Sequence, residues 1–392
     1  MKSKENLSIM PINSIFINVI RLSIGNSLCL SRTPDVKEWQ EIYAMAKKQS
    51  LVGVCFAGVQ KTLSNSPSHS TDSGQVPGED PSVIGMPKML YLTWMGMAAK
   101  IQQRNEVVNR QCVELQKWFQ KEGIRSCILK GQGNSKNYES LAMLRQSGDI
   151  DIWLEGGFES INSYIQTNWP TKDINDHHIH VKIYHDTDVE VHYIPFLLNN
   201  PLKNKILVNF FRKEESIQFA HKITLPSRDI ITVADYRFNI VFQLVHIFHH
   251  LLTEGVGLRQ LMDYYFVLKH EIEVEKVSNF HEGKEIISEL GLERFASALM
   301  WVLGHVFGLP EEQMPWKPNE KDGKFLLEEI MLSGNFGKQD ERQRGLYDSK
   351  WNSFWMVHVK TFRLWRFDHW AWLWSPIWRI KGFVWRKLKG YK

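Results

Sequence analysis

The stretch Cys127-Ile-Leu-Lys-Gly-Gln-Gly-Asn-Ser-Lys-Asn-Tyr138 is followed closely by Leu144-Arg-Gln-Ser-Gly-Asp-Ile-Asp-Ile-Trp-Leu154. The first apolar run ends at Lys130-Gly131, and the second carries two aspartates, Asp149 and Asp151, with one residue between them. Alternate residues of a strand share a face, so the two carboxylates point the same way with Cα atoms about 6.5–7 Å apart. Acids so placed hold a divalent cation, and a glycine at a strand end lets a phosphate approach the backbone. The pairing points to phosphoryl or nucleotidyl transfer.

Around this stretch the pattern predicts four short strands, at 124–129, 150–154, 179–184 and 189–194, with helices at about 132–142 and 157–167 between them. Strand–helix–strand–helix–strand–strand within about 70 residues is a small α/β or α+β core. Before it, Trp39, Ile42, Tyr43, Ala46 and Leu51 follow a helical period through 37–62, and a longer helix runs from about Pro87 to Lys121 with Gly123 as its stop. Residues 63–82, rich in Ser, Pro, Gly and Asp, read as a mobile loop. From Ala234 onward the period is helical again, as in Val241, Leu244, Val245 and Phe248.

The chain has 392 residues, 43% hydrophobic and 23% charged, within the ordinary globular range. No apolar run reaches 18 residues, which argues against a spanning helix. Asn13, Asn18, Arg21 and Asn26 interrupt the apolar residues behind the basic start, so no secretory signal is read and a cytoplasmic location is expected. Cys29, Cys55, Cys112 and Cys127 form no C-x-x-C pair and read as buried thiols rather than disulfides or zinc ligands. Charge is uneven: residues 351–392 carry nine Lys/Arg against Asp368, which leaves −3 on the remaining 350 residues of a chain with net charge +5. The same segment holds eight of the fifteen tryptophans. Trp rings favour the headgroup level of bilayers and Lys/Arg attract anionic lipid, so peripheral contact at the inner face of the membrane is one reading. Packing against the body and nucleic-acid binding are the others.

G-x-S-x-G, G-x-x-x-x-G-K-[ST] and G-x-G-x-x-G are absent, which removes the serine-hydrolase, Walker-type and dinucleotide-binding motifs. Histidines are dense at 177, 178, 180, 185 and 192, and again at 246, 249 and 250. His246 and His250 share a helical face, but no glutamate follows His246, so the H-E-x-x-H protease pattern is missing. His180 and His192 lie in strands beside the carboxylates, within reach of a nucleotide. Arg259 and Asp263, four apart on a helix, form an intrahelical ion pair or face the site.

The strand ending in Lys130-Gly131, Arg145 ahead of Ser147-Gly148-Asp149-Ile150-Asp151, Val189-Glu190-Val191-His192-Tyr193 and Leu258-Arg259-Gln260-Leu261-Met262-Asp263 together resemble one known family. It is the uncharacterised bacterial nucleotidyltransferase family of the polymerase-β-like nucleotidyltransferase superfamily. The resemblance is specific over 124–194 and weaker elsewhere. It implies an α+β fold: a small mixed β-sheet nucleotidyltransferase core (123–230) flanked by an N-terminal helical region (1–122) and a C-terminal one (231–350), ahead of the Trp-rich basic tail (351–392).

The resemblance also implies a Mg²⁺- or Mn²⁺-dependent enzyme that moves a nucleoside monophosphate from an NTP to an acceptor with release of pyrophosphate. The acceptor is open: a small molecule, a glycan precursor, a protein or RNA. Asp149 and Asp151 are the expected metal ligands, with Glu190 as third ligand or base. Lys130, Gly131, Gln132, Gly133, Ser135 and Arg145 are the expected phosphate-binding residues. The superfamily pattern usually has Gly or Ser after the glycine; here Gln132 follows Gly131, and Gly133 is displaced by one. Each residue has a plainer reading as well: a turn glycine, a solvated strand glutamate, a strand-end lysine pointing to water. Two further functions stay open, a catalytically inactive nucleotide- or partner-binding protein at a membrane surface, and a toxin-like enzyme that modifies protein or tRNA.

Overall fold

The computed structural model describes residues 10–66, 80–275, 280–337, 340, 342 and 350–389. Helices α1 (Met10–Ser23), α2 (Val36–Lys48), α3 (Val52–Ser64) and α4 (Lys88–Lys121) precede the sheet. The region of the sheet then runs β1 (Ser126–Ile128), α5 (Gln132–Ser135), β2 (Ile150–Leu154), α6 (Phe158–Asn168), β3 (Thr171–Ile174), β4 (His178–Val181) and β5 (Val189–His192). Helix α7 (Pro201–Gln218) and a hairpin of β6 (Lys222–Thr224) and β7 (Ile230–Thr232) follow. The remainder is helical: α8 (Tyr236–Leu252), α9 (Leu258–Glu275), α10 (His281–Glu289), α11 (Glu293–Phe307), α12 (Glu320–Ser333), α13 (Lys350–Arg363) and α14 (His369–Leu388). The architecture is helix-rich α+β with one small mixed sheet.

The sheet order is β1-β2-β5-β4-β3, with β2 and β5 parallel and the other neighbours antiparallel. Its strands alternate strictly between two environments. Ile150, Ile152 and Leu154 of β2, Val189 and Val191 of β5, and Ile179 and Val181 of β4 join one core with Cys112 and Phe119 of α4 and Ile161 and Ile165 of α6. The opposite face of β2 and β1 turns Trp153, Cys127 and Leu129 into the larger helical core, where Trp153 packs on Phe219 and Phe238 at 4.7 and 6.0 Å. On that same face, toward the start of β2, the alternation places Asp151, Glu190, His192, His178 and His180 instead of apolar residues. Burial of the first face thus fixes the orientation of every polar group on the second, because a one-residue slip would exchange the two.

Several expectations are corrected. Residues 37–62 form two helices, broken at Gln49–Leu51; Ser50 takes φ 55, and Gln49 bonds to Leu258 N–H and the Ile330 carbonyl. The helix expected at 132–142 is one turn, α5, followed by a 3₁₀ run, Lys136–Leu144, kinked at Glu139 with φ 50. β3 and the β6–β7 hairpin were not expected, and Ile128 bridges to Val233 just after β7. Cys55, Cys112 and Cys127 are buried as read, but Cys29 is exposed. Of the loop expected at 63–82, α3 occupies the start, and 67–79 lie outside the described residues.

The tail is a helical hairpin anchored to the body through Leu364, Phe367 and Ala371, a Lys203–Asp368 pair at 2.8 Å, and Trp385 against Phe158 at 5.4 Å. Pro376 lies within α14 without ending it. No described helix is long and apolar enough to cross a membrane. On α13, Lys360 is buried and donates to the Thr253 carbonyl at 3.4 Å; burial, then the nearby Arg363 charge, lowers its pKa to about 8. The unfolded lysine titrates near 10.4, so between those values the unfolded chain holds the extra proton and stability rises with pH; below pH 8 the full cost remains. Lys360→Met is expected to raise stability at pH 7 by about 2–3 kcal/mol and to flatten that alkaline rise. Urea unfolding of both proteins at pH 7 and pH 9.5 checks this.

Candidate active site

The polar face of the sheet, the Lys130–Gly131 turn and helices α8 and α9 enclose a cavity of about 410 Å³, a volume suited to a small-molecule ligand. Asp151 and Glu190 are direct register partners across the parallel β2–β5 pair, with His192 two residues further on. Oxygens of Asp151 and Glu190 and a ring nitrogen of His192 lie within 4.8 Å of one another. Asp149 stands just ahead of β2 and lines the same cavity.

The charges here are strongly interdependent. Burial, then the Asp151 charge, pushes the Asp149 carboxyl up to about 6. Burial acts the same way on Asp151, but Lys130 and a hydrogen bond from His192 outweigh it and hold Asp151 below the usual range. Glu190 is likewise held low against its burial, by His192 and Lys130. Lys130 Nζ lies 2.9 Å from Asp151 Oδ1 and 2.9 Å from His246 Nε2. Burial opposes its charge, but Asp151, Asp149 and Glu190 keep Lys130 protonated. His246 is therefore the acceptor from Lys130, its own protonation suppressed by burial and by that ammonium.

Gly131 also lines the cavity. Its φ of 58 with ψ −110 lies outside the regions open to residues with a Cβ, while an added Cβ would meet only the Asp149 carbonyl at an ordinary 3.6 Å. The glycine is required by the turn rather than by crowding. Gln132, Gly133 and Ser135, expected at the phosphate, do not line the cavity. Gln132 is buried and donates to Asn105 and Asn109 of α4; Ser135 donates to the Gln132 carbonyl at 2.8 Å; and a Cβ on Gly133 would meet the Ile128 carbonyl at 3.2 Å and Val233 at 3.5 Å. The one-turn helix directs these residues toward α4 and β1, and Asn134 is the residue that turns into the cavity.

Arg145 lines the cavity, but its guanidinium is committed to Asp263 through two hydrogen bonds of 2.7 Å, and Tyr138 donates to the same carboxylate at 2.6 Å. Asp263 therefore serves Arg145 from another element rather than pairing with Arg259. Arg259 donates from Nη1 to the Gln146 carbonyl at 2.9 Å and faces the cavity. Arg145 Nη1 and Arg259 Nε are buried without a hydrogen-bond partner among the described residues.

The sequence reading did not bring His177, His178, His249, His250, Glu254 or Phe196 to this cavity, yet all line it. The available signal was alternation. His178-x-His180 and Glu190-x-His192, each with apolar residues between, mark one polar face shared by two strands.

Clustered acids facing Lys130 and Arg259 in one cavity suit a substrate that brings phosphate groups together with a divalent cation. The family comparison carries this to a class, nucleotidyltransferases. The chain belongs to the family of uncharacterised nucleotidyltransferases, whose model matches residues 35–308. No curated protein matches the chain.

Proposed function

We propose that the chain transfers a nucleoside monophosphate from an NTP to an acceptor oxygen with release of pyrophosphate, at the polar face of β2 and β5. The observation that carries this is the β2–β5 register, which sets Asp151 beside Glu190 with Asp149 on the same cavity wall. The donor set fits a hard divalent ion: Asp149, Asp151 and Glu190 would hold Mg²⁺ or Mn²⁺, which binds carboxylates and substrate phosphates together. Such an ion neutralises charge that develops on the transferring phosphate.

The protein's own groups do the rest. Lys130, pinned between Asp151 and His246, presents an ammonium to the phosphates, and the unpartnered N–H groups of Arg145 and Arg259 offer two more anion contacts. Gly131 lets the chain turn sharply beside them. The acceptor oxygen forms a bond to the α-phosphorus, the bond to the bridging oxygen of the β-phosphate breaks, and pyrophosphate leaves with that electron pair. The acceptor's proton passes to a carboxylate, and Glu190 is the group assigned to it when it is not a metal ligand. Incubation with each NTP and Mg²⁺ over an acceptor screen, with pyrophosphate release as readout, tests the reading. Binding of NTP without release from any acceptor favours a non-catalytic nucleotide-binding protein.

The tail supports a location for this activity at the cytoplasmic face of a membrane. On α14 Trp370, Leu373, Ile377, Ile380, Val384 and Leu388 are exposed at spacings of three and four, one continuous apolar stripe. Trp355, Val359 and Phe362 repeat the pattern on α13. Neither helix contains an acid, whereas Lys381, Arg386 and Lys387 flank the stripe. A second copy docked there would set cation against cation, while an anionic bilayer accepts both the apolar face and the charge. The full chain is expected to sediment with phosphatidylserine vesicles at low salt, and Ile377→Glu/Ile380→Glu to abolish this. Equal sedimentation of the variant, or none by either protein, would remove the membrane from the account.

A further inference from the structure

The acids are only half of the polar face. β4 runs antiparallel to β5 with His180 opposite Glu190 and His178 opposite His192, so four ligating side chains form a two-by-two array on one surface. His178 Nε2 lies 3.0 Å from His180 Nε2, His180 Nδ1 is 3.5 Å from Glu190 Oε1, and His178 Nε2 is 3.9 Å from Glu190 Oε2. A cation held at about 2.0–2.2 Å by each of three tetrahedral ligands sets its donors roughly 3.4 Å apart. The two distances from His178 Nε2, to His180 Nε2 and to Glu190 Oε2, bracket that value, while the His180–Glu190 contact is made through the other ring nitrogen. One ligand atom from each of His178, His180 and Glu190 fits within 4.8 Å of the others.

We infer that His178, His180 and Glu190 form a second cation site, for a borderline first-row transition ion of the Zn²⁺ or Co²⁺ type, next to the oxygen-donor site of Asp149 and Asp151 and sharing Glu190 with it. Two imidazoles and one carboxylate select such ions, whereas Mg²⁺ takes oxygen donors. Three protein ligands facing a cavity leave a coordination position open to water or substrate, the arrangement of catalytic rather than structural zinc. Charge agrees with the assignment. Asp149, Asp151 and Glu190 all face the cavity, and among the described residues Lys130 is the one lysine or arginine bonded to an acid of this trio, with His192 the further group on Asp151 and Glu190. The strand register presets the site: the apolar partners Ile179, Val189 and Val191 are buried on the far face, so the polar residues cannot turn away without unfolding the pair.

The inference does not depend on nucleotidyl transfer, and its test is a binding one. Metal-free full-length protein is titrated with Co²⁺ while visible d–d absorption is followed, and with Zn²⁺ against a chromogenic chelator. One equivalent of Co²⁺ giving an intense four- or five-coordinate spectrum is expected. His180→Ala, at a partly exposed position, and His178→Asn are each expected to weaken binding by about 100-fold or more, beyond what loss of an outer-shell group costs. Asp149→Asn retains the spectrum. Melting curves matched to wild type confirm that the variants are folded. A weak octahedral spectrum in wild type, or binding that survives in the His178→Asn/His180→Ala double variant, would overturn the site. Absence of pyrophosphate release by the wild-type protein would bear on nucleotidyl transfer alone and leave a site that binds Co²⁺ as expected standing.

Discussion

Asp151→Asn is expected to reduce nucleotidyl transfer by about 10³-fold or more while the protein stays folded. Asn keeps the shape of the side chain and one oxygen to accept from Lys130 and His192, both of which lie on Asp151 Oδ1 at 2.9 and 3.0 Å. What it removes is the negative charge that a divalent ion needs from this position. Charge stabilisation by a bound metal is worth several kcal/mol, and about 4 kcal/mol corresponds to about 10³-fold in rate. Asp149→Asn should act in the same direction. Turnover is measured as pyrophosphate release at saturating NTP, with a thermal melt to confirm folding. A variant that works at the wild-type rate would remove Asp151 from the chemistry and leave the family membership without a site at this face.

The second large effect concerns stability. Asp263→Ala is expected to destabilise the fold by about 3–5 kcal/mol, because breaking a buried ion pair leaves the other charge without compensation. Here the stranded group is Arg145, 3% exposed and bonded to Asp263 through two nitrogens, with the Tyr138 hydroxyl left unpaired as well. This network ties the 3₁₀ run that leads into β2 to helix α9, so its loss loosens the approach to Asp149. In a chain of this size that loss lowers the melting temperature by roughly 5 °C. Replacing both charges, as Arg145→Met/Asp263→Leu, should restore much of the loss, since a hydrophobic pair can substitute for a buried ionic one. A single variant that melts with wild type would show that the pair does not support the fold.

The sequence made the acids and the Lys-Gly turn legible because each is a local feature: alternating acids in an apolar run, and a lysine and glycine where that run stops. Helix α4 was legible to within a residue at its start, since Pro87 and the apolar period mark it. Other elements depended on partners far along the chain. Nothing near Ser50 announces the break between α2 and α3; Gln49 is held by Ile330 and Leu258, more than 200 residues away. Arg145 stood in a position suited to phosphate, but its main partner, Asp263, lies 118 residues on. The resemblance placed Gln132 and Ser135 at the phosphate, and a helix of one turn followed by a kink at Glu139 directs them elsewhere. Alternation marked a polar face on each of β4 and β5, but which histidine stands opposite which acid depends on their register, which neither strand carries alone.

The central claim, that α-phosphate rather than γ-phosphate moves at this site, has a direct test. The protein is incubated with Mg²⁺, a cell extract and NTP carrying radiolabel at either the α or the γ position. Label from the α position should appear on the acceptor and label from the γ position in pyrophosphate, both lost with Asp151→Asn. Transfer of the γ label to the acceptor would make the chain a phosphotransferase and contradict the account.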